Sequence, residues 1–154
     1  METLIYTAFV GMIMGSMVLL ASTAFTVRSK LRASIVLEQN VRFAVTRITS
    51  VVSDASGITT PDLGTSSSTI VLTTTVASTN PTTIRNTGGI ITITEGATGT
   101  AQTLSSSEVS FSNFSFTRVS STAAMVRVVA SGALRNAAAS YATLTVTTTA
   151  AVRR

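Results

Sequence analysis

From Thr3 to Val27 the chain carries no formal charge, and Glu2 stands immediately before that run. A bilayer core of roughly 30 Å is crossed by about 20 apolar residues at about 1.5 Å each, so the stretch from Leu4 to Val27 is long enough to span. Phe9, Val10, Met12, Ile13, Met14, Met17, Val18, Leu19, Leu20 and Phe25 put apolar surface on every face of a helix, a pattern foreign to a half-solvated soluble helix. The competing interpretation is a secretory signal peptide, with Ser22 and Ala24 as the small residues before a cut. No Lys or Arg precedes Arg28 to form its basic leading region, and helical periodicity continues through the supposed cut, so the membrane span ranks first. Orientation stays open, because Arg28, Lys30 and Arg32 follow the span and favour a cytoplasmic C-terminal side.

Beyond the span the apolar pattern narrows to a stripe. Leu37, Val41, Val45, Ile48, Val52 and Ala55 recur at three- and four-residue steps, while Glu38, Gln39, Arg42, Thr46, Ser50 and Asp54 occupy other faces. Such a stripe packs on protein. Glu38 and Arg42 stand one helical turn apart and pair along the surface, a contribution of a few tenths of a kcal/mol. Gly57 and then Pro61 are expected to close the helix, glycine as the stop and proline beyond it. A helix continuous to Asp54 is about 80 Å long. A domain of about 100 residues has a radius of gyration of about 13 Å and cannot cover such a rod.

After Pro61 the composition shifts to Thr, Ser, Val, Ile and Gly, and helical periodicity disappears. Strands are expected at Thr69 to Val76, around Ile84, and from Ile90 to Thr94, with Asn86-Thr87-Gly88-Gly89 as the hairpin turn between the last two. Val109 and Phe111 share a face from which Phe114 and Phe116 are displaced by one residue, so the strand Val109 to Val119 is expected to bulge near Asn113. Met125 to Val129 and Tyr141 to Val152 supply two more strands, and Gly132 to Ser140 reads as a loop or short helical turn. In the last strand Ala142, Leu144 and Val146 alternate with Tyr141, Thr143 and Thr145, as in a sheet with one solvated face. The expected class is therefore α+β: a long N-terminal helix over residues 1–56, half transmembrane and half amphipathic, packed on a small antiparallel β domain over residues 57–154. The chain has no cysteine, so the domain must hold without disulfides.

Chemistry-bearing residues are sparse. There is no His, and Glu2, Glu38, Asp54, Asp62, Glu95 and Glu108 fall singly without metal-ligand spacing. The many hydroxyls lack a candidate base, since the only lysine, Lys30, adjoins the span. Gly96-Ala97-Thr98-Gly99 lacks the Gly-Lys-Ser/Thr continuation of a phosphate-cradling loop. The expectation is a protein without catalytic residues, cofactor or metal. Eleven Lys and Arg against six Asp and Glu give a net charge of +5, with Arg28, Lys30, Arg32, Arg42 and Arg47 on the helix. Those cations can meet anionic lipid or the carboxylates of neighbouring chains. DNA is a weaker candidate partner, because no aromatic residues interleave the basic ones.

The opening Glu2-Thr3-Leu4-Ile5-Tyr6-Thr7, the apolar span, the amphipathic helical half and the Thr/Ser-rich β region ending in Arg153-Arg154 together resemble the type IV pilins and pseudopilins. In that family a prepilin peptidase removes a short basic leader, and the mature chain carries an acidic residue a few positions from its start. Glu2 matches that acidic position if the chain begins about three residues inside the mature protein. The resemblance implies a filament subunit held in the cytoplasmic membrane before assembly and in an extracellular fibre of like subunits or other pilins afterwards. Glu2 would then answer a cation such as the terminal ammonium of an adjacent subunit, relieving the cost of a lone buried charge. In a simple anchor Glu2 would lie among lipid headgroups instead. Gly11 and Gly15, with Ser16 beside them, form the small-residue arrangement that lets helices approach closely in lipid. The alternative class is a monomeric surface protein with one membrane-spanning helix and a ligand-binding or adhesive β domain.

Overall fold

With no proline before Pro61, nothing in the first third of the chain forbids a continuous helix. The computed structural model, which describes residues 2–120, 124–135 and 143–153, contains one: α1 runs unbroken over Glu2–Asp54. Its 53 residues make a rod of about 80 Å. Residues 2–32 are exposed throughout, and burial begins only where the amphipathic stripe begins.

The helix ends differently from the expectation placed on Gly57. Ala55 N–H still donates to the Val52 carbonyl at 3.3 Å, and Ser56 N–H then donates to the Thr73 carbonyl at 2.8 Å. Gly57 opens strand β1 (Gly57–Thr60) opposite Thr73 and does not adopt a left-handed conformation. The sheet captures the backbone before a glycine cap is needed.

The antiparallel β domain is divided into two sheets. Besides β1, the strands are β2 (Ser66–Ser67), β3 (Thr69–Thr73), β4 (Thr82–Thr87), β5 (Ile90–Glu95), β6 (Gln102–Thr103), β7 (Val109–Ser120), β8 (Met125–Leu134) and β9 (Thr143–Ala151). The first sheet has the order β1-β3-β4-β5-β6 and the second β2-β7-β8-β9. The strand expected to reach Val76 stops at Thr73, and a short 3-10 turn at Ala77–Thr79 carries the chain into β4. The β4–β5 connection is tighter than the four residues anticipated. Thr87 pairs with Ile90, leaving Gly88 and Gly89 alone in the turn at φ 60° and 81°. Positive φ at both central residues matches the twist of the flanking strands, and glycine adopts it without strain.

The displaced phenylalanines are explained by register. The β7–β8 pairing shifts between Phe111 and Asn113, and the extra residue returns Phe114 and Phe116 to the face that Phe111 occupies. All three rings are buried and meet edge to face, with centroids 6.3 Å apart for Phe111–Phe114 and 4.9 Å for Phe114–Phe116.

β8 extends five residues past the expected Val129, because Gly132 is paired on both sides, to Phe111 and to Leu144. Of the segment expected to be a loop, Gly132 to Leu134 is strand and residues 136–140 lie outside the described residues. Tyr141 and Ala142, assigned above to the last strand, also lie outside them. From Thr143 onward β9 alternates as anticipated, with its odd-numbered residues exposed and Leu144, Val146, Thr148 and Ala150 turned inward.

One core joins the parts. Leu37, Val41, Ala44, Val45, Ile48 and Val52 on α1 lie against β8 and β9, and sheet one approaches β7 with Ile70, Leu72, Ile84, Ile91 and Ile93 buried. Asn86 Nδ2 donates to the Phe111 carbonyl at 3.0 Å and Phe111 N–H to the Gly89 carbonyl at 3.0 Å, tying the hairpin to β7. Arg118 Nη1 donates to the Ile58 carbonyl at 3.2 Å and links the far end of β7 to β1.

Candidate assembly surface

Leu37, Val41, Val45, Ile48 and Val52 of the amphipathic stripe are buried, as is Ala55 just past the helix. Ala44 belongs to it as well, a residue that spacing reasoning passed over because alanine carries little hydrophobic signal. Glu38 and Arg42 form the anticipated pair at 2.8 Å on the outer face of the helix, both well exposed.

The other sequence-selected residues stand far from the head. Glu2 lies in the first turn of α1, where a carboxylate is favoured by the exposed N–H groups of the helix start. Gly11 and Gly15 sit one turn apart, and a side chain built at either would meet nothing within 4 Å. Their faces are open for close approach.

The surface around them is apolar and internally satisfied. Leu4 is 71% exposed, Met12 77% and Leu20 70%. The hydroxyls interspersed among them turn back onto the helix. Thr7 donates to the Thr3 carbonyl at 3.0 Å, Ser16 to Ile13 at 2.8 Å, Thr23 to Leu19 at 3.0 Å and Thr26 to Ser22 at 2.9 Å. A hydroxyl bonded within its own helix enters lipid or a helix bundle without an orphaned donor. By length and composition α1 is apolar enough to cross a membrane, and none of its most apolar stretch is buried by the head.

A further feature was not singled out from the sequence. Exposed apolar side chains continue past the span as Leu31, Ile35 and Phe43, the last 63% exposed and turned away from the head. Phe43 lies about 24 Å along the axis beyond Val27, at 1.5 Å per residue. The signal was present in the sequence, but the buried stripe is the stronger pattern, and three apolar residues scattered among charged ones form no period beside it.

The cations gather at the junction. Arg28, Lys30 and Arg32 follow the apolar half within a turn and a half, and Arg47 lies on the exposed side of the head-bearing half. Comparison with protein-family models, with curated proteins and with solved structures gives no match, so the resemblance rests on the layout of the chain itself.

Proposed function

We propose that this chain is a structural subunit, major or minor, of a type IV pilus-like filament, assembling through α1, with its β head outward. The observation that supports this reading is the exposed apolar side chains of α1 beyond the span, Leu31, Ile35 and Phe43, the last well past the length a bilayer hides. An anchor gains nothing from an exposed phenylalanine about 24 Å beyond its span, whereas a bundle of like helices buries it. Open faces at Gly11 and Gly15 let neighbouring rods approach, and the self-satisfied hydroxyls remove the penalty of burying them. Glu2 supplies the polar contact that sets the stagger, by answering a cation of the adjacent subunit in an apolar surround. Before assembly the same apolar half resides in the cytoplasmic membrane, where a prepilin peptidase acts on the family's precursors.

Shearing cells and probing the sheared fraction tests the proposal. Full-length chain is expected in that fraction, and Phe43→Glu is expected to deplete it while the membrane pool persists. Recovery only from detergent-solubilised membrane, indifferent to Phe43→Glu, would favour the anchored monomer and refute the filament.

A further inference from the structure

We propose that the outer edge of β9 is a strand-addition site, which takes an extended, uncharged segment of a partner protein as a fifth strand beside the four of the second sheet. The inference does not depend on the filament.

Three observations converge on this edge. The first is its lack of protection. The other strands that end the sheets are short: β1 has four residues, β6 two and β2 two, whereas β9 has nine. Natural edges are blunted by shortness, charge, proline or a bulge. β9 has no charged residue and no proline, and its pairing with β8 runs without a register shift from Met125↔Ala151 to Ala133↔Thr143. Among the described residues no strand pairs with its outer side.

The second is a groove of about 480 Å³ between that strand and the helix, lined by Val45, Thr46, Thr49, Ser50, Thr148 and neighbours. The third is incomplete burial: Leu144, Val146 and Thr148 face inward yet remain half-buried, and among the described residues no further strand flanks them. An added strand would place alternate side chains in the groove and over Leu144 and Val146, while its main chain bonds the outer edge of β9.

These surroundings define the occupant. Inward positions suit small aliphatic residues, given the aliphatic and hydroxyl lining. Outward positions suit Thr or Ser, continuing the cross-strand hydroxyl contacts that Ser131 and Thr145 already make at 2.9 Å. Asp54 and Arg153 both border the groove, so its charge is mixed and a net-charged segment is not favoured. A second copy fits less well. Antiparallel pairing of two β9 edges about an axis normal to the sheet reverses one long helix relative to the other, sending the two apolar halves to opposite ends.

The test uses the full chain in detergent micelles and, as probe, a capped peptide of alternating threonine and valine carried on a polyethylene glycol tail. Residue-resolved amide exchange is expected to slow about tenfold at alternate β9 residues, those facing outward, with the others unchanged. Peptide N-methylated on its edge-facing amides is expected to give no protection. Ser50→Trp, which fills the groove from an exposed position, is expected to weaken the peptide about tenfold while leaving exchange in β8 as it was. Binding that protects no β9 amide, or protection indifferent to N-methylation, overturns the proposal. Protection that rises with protein concentration in the absence of peptide also overturns it, in favour of a second copy.

Discussion

At Gly132 side chains of the helix lie close against the sheet backbone, and the sign of a Gly132→Ala substitution tests whether α1 is seated as described. A Cβ placed there would lie 2.9 Å from Val41 Cγ2, 3.3 Å from Val109 Cγ1 and 3.5 Å from Leu37 Cδ1. Carbon atoms pack best at about 3.5–4.0 Å, so the first contact is too close by about 0.6 Å or more. Two of the three neighbours belong to α1, and both are fully buried. They have little room to yield. Overpacking of this kind costs about 1–3 kcal/mol. Were the site open, alanine would instead be favoured over glycine in a strand by about 0.5–1 kcal/mol, so the two geometries predict opposite signs. Urea unfolding of the full chain in mild detergent, followed by far-ultraviolet circular dichroism, measures the difference. Gly57→Ala serves as control, since a Cβ there meets only Thr73 Cβ at an ordinary 4.0 Å, and stability should hold or rise. Val41→Ala removes the worst contact. The double substitution Val41→Ala with Gly132→Ala should therefore be less damaging than the sum of the two single changes. Stabilisation by Gly132→Ala, or strict additivity with Val41→Ala, would refute the close seating of α1 on β8.

Other expected outcomes follow from the same packing. Ile48→Ala, at a fully buried position between helix and sheets, should destabilise the head by about 2–5 kcal/mol in the same unfolding assay. Asn86→Ala removes the donor to the Phe111 carbonyl and should cost about 1–2 kcal/mol, with faster amide exchange at the Gly88–Gly89 hairpin. Glu38→Gln breaks an ion pair whose side chains are 51% and 72% exposed, and should shift stability by no more than about 0.5 kcal/mol, less in high salt.

Reading the helix from sequence worked because its information is local. The uncharged run and the recurrence from Leu37 to Val52 appear as spacing along the chain, and neither needs a partner to be recognised. The β7 bulge was legible for the same reason, since Phe111 and Phe114 are out of phase on a strand unless one extra residue intervenes. Strand ends were less legible. Gly132 carries no side chain to signal a strand, and only its two cross-strand neighbours hold it in β8. Gly57 resembled a helix stop because glycine commonly is one, but pairing with Thr73 gave it an extended role.

The candidate assembly surface divides along the same line. Glu2, Gly11 and Gly15 could be named from sequence, because charge beside an apolar run and small residues one turn apart are visible in one dimension. Phe43 could not be separated from the core-facing residues until the head was seen to occupy the other side of α1.

What the amino-acid order determined by itself is the existence and length of the rod, since hydrophobic periodicity and the lack of an interrupting proline act between residues close in the chain. Which side of that rod stays bare, how the strands divide between two sheets, and why β9 stands last in its sheet among the described residues depend on pairings between residues far apart in sequence. Only tertiary packing decides those, because each strand can be satisfied by several partners and the choice is made by what the remaining surfaces bury together.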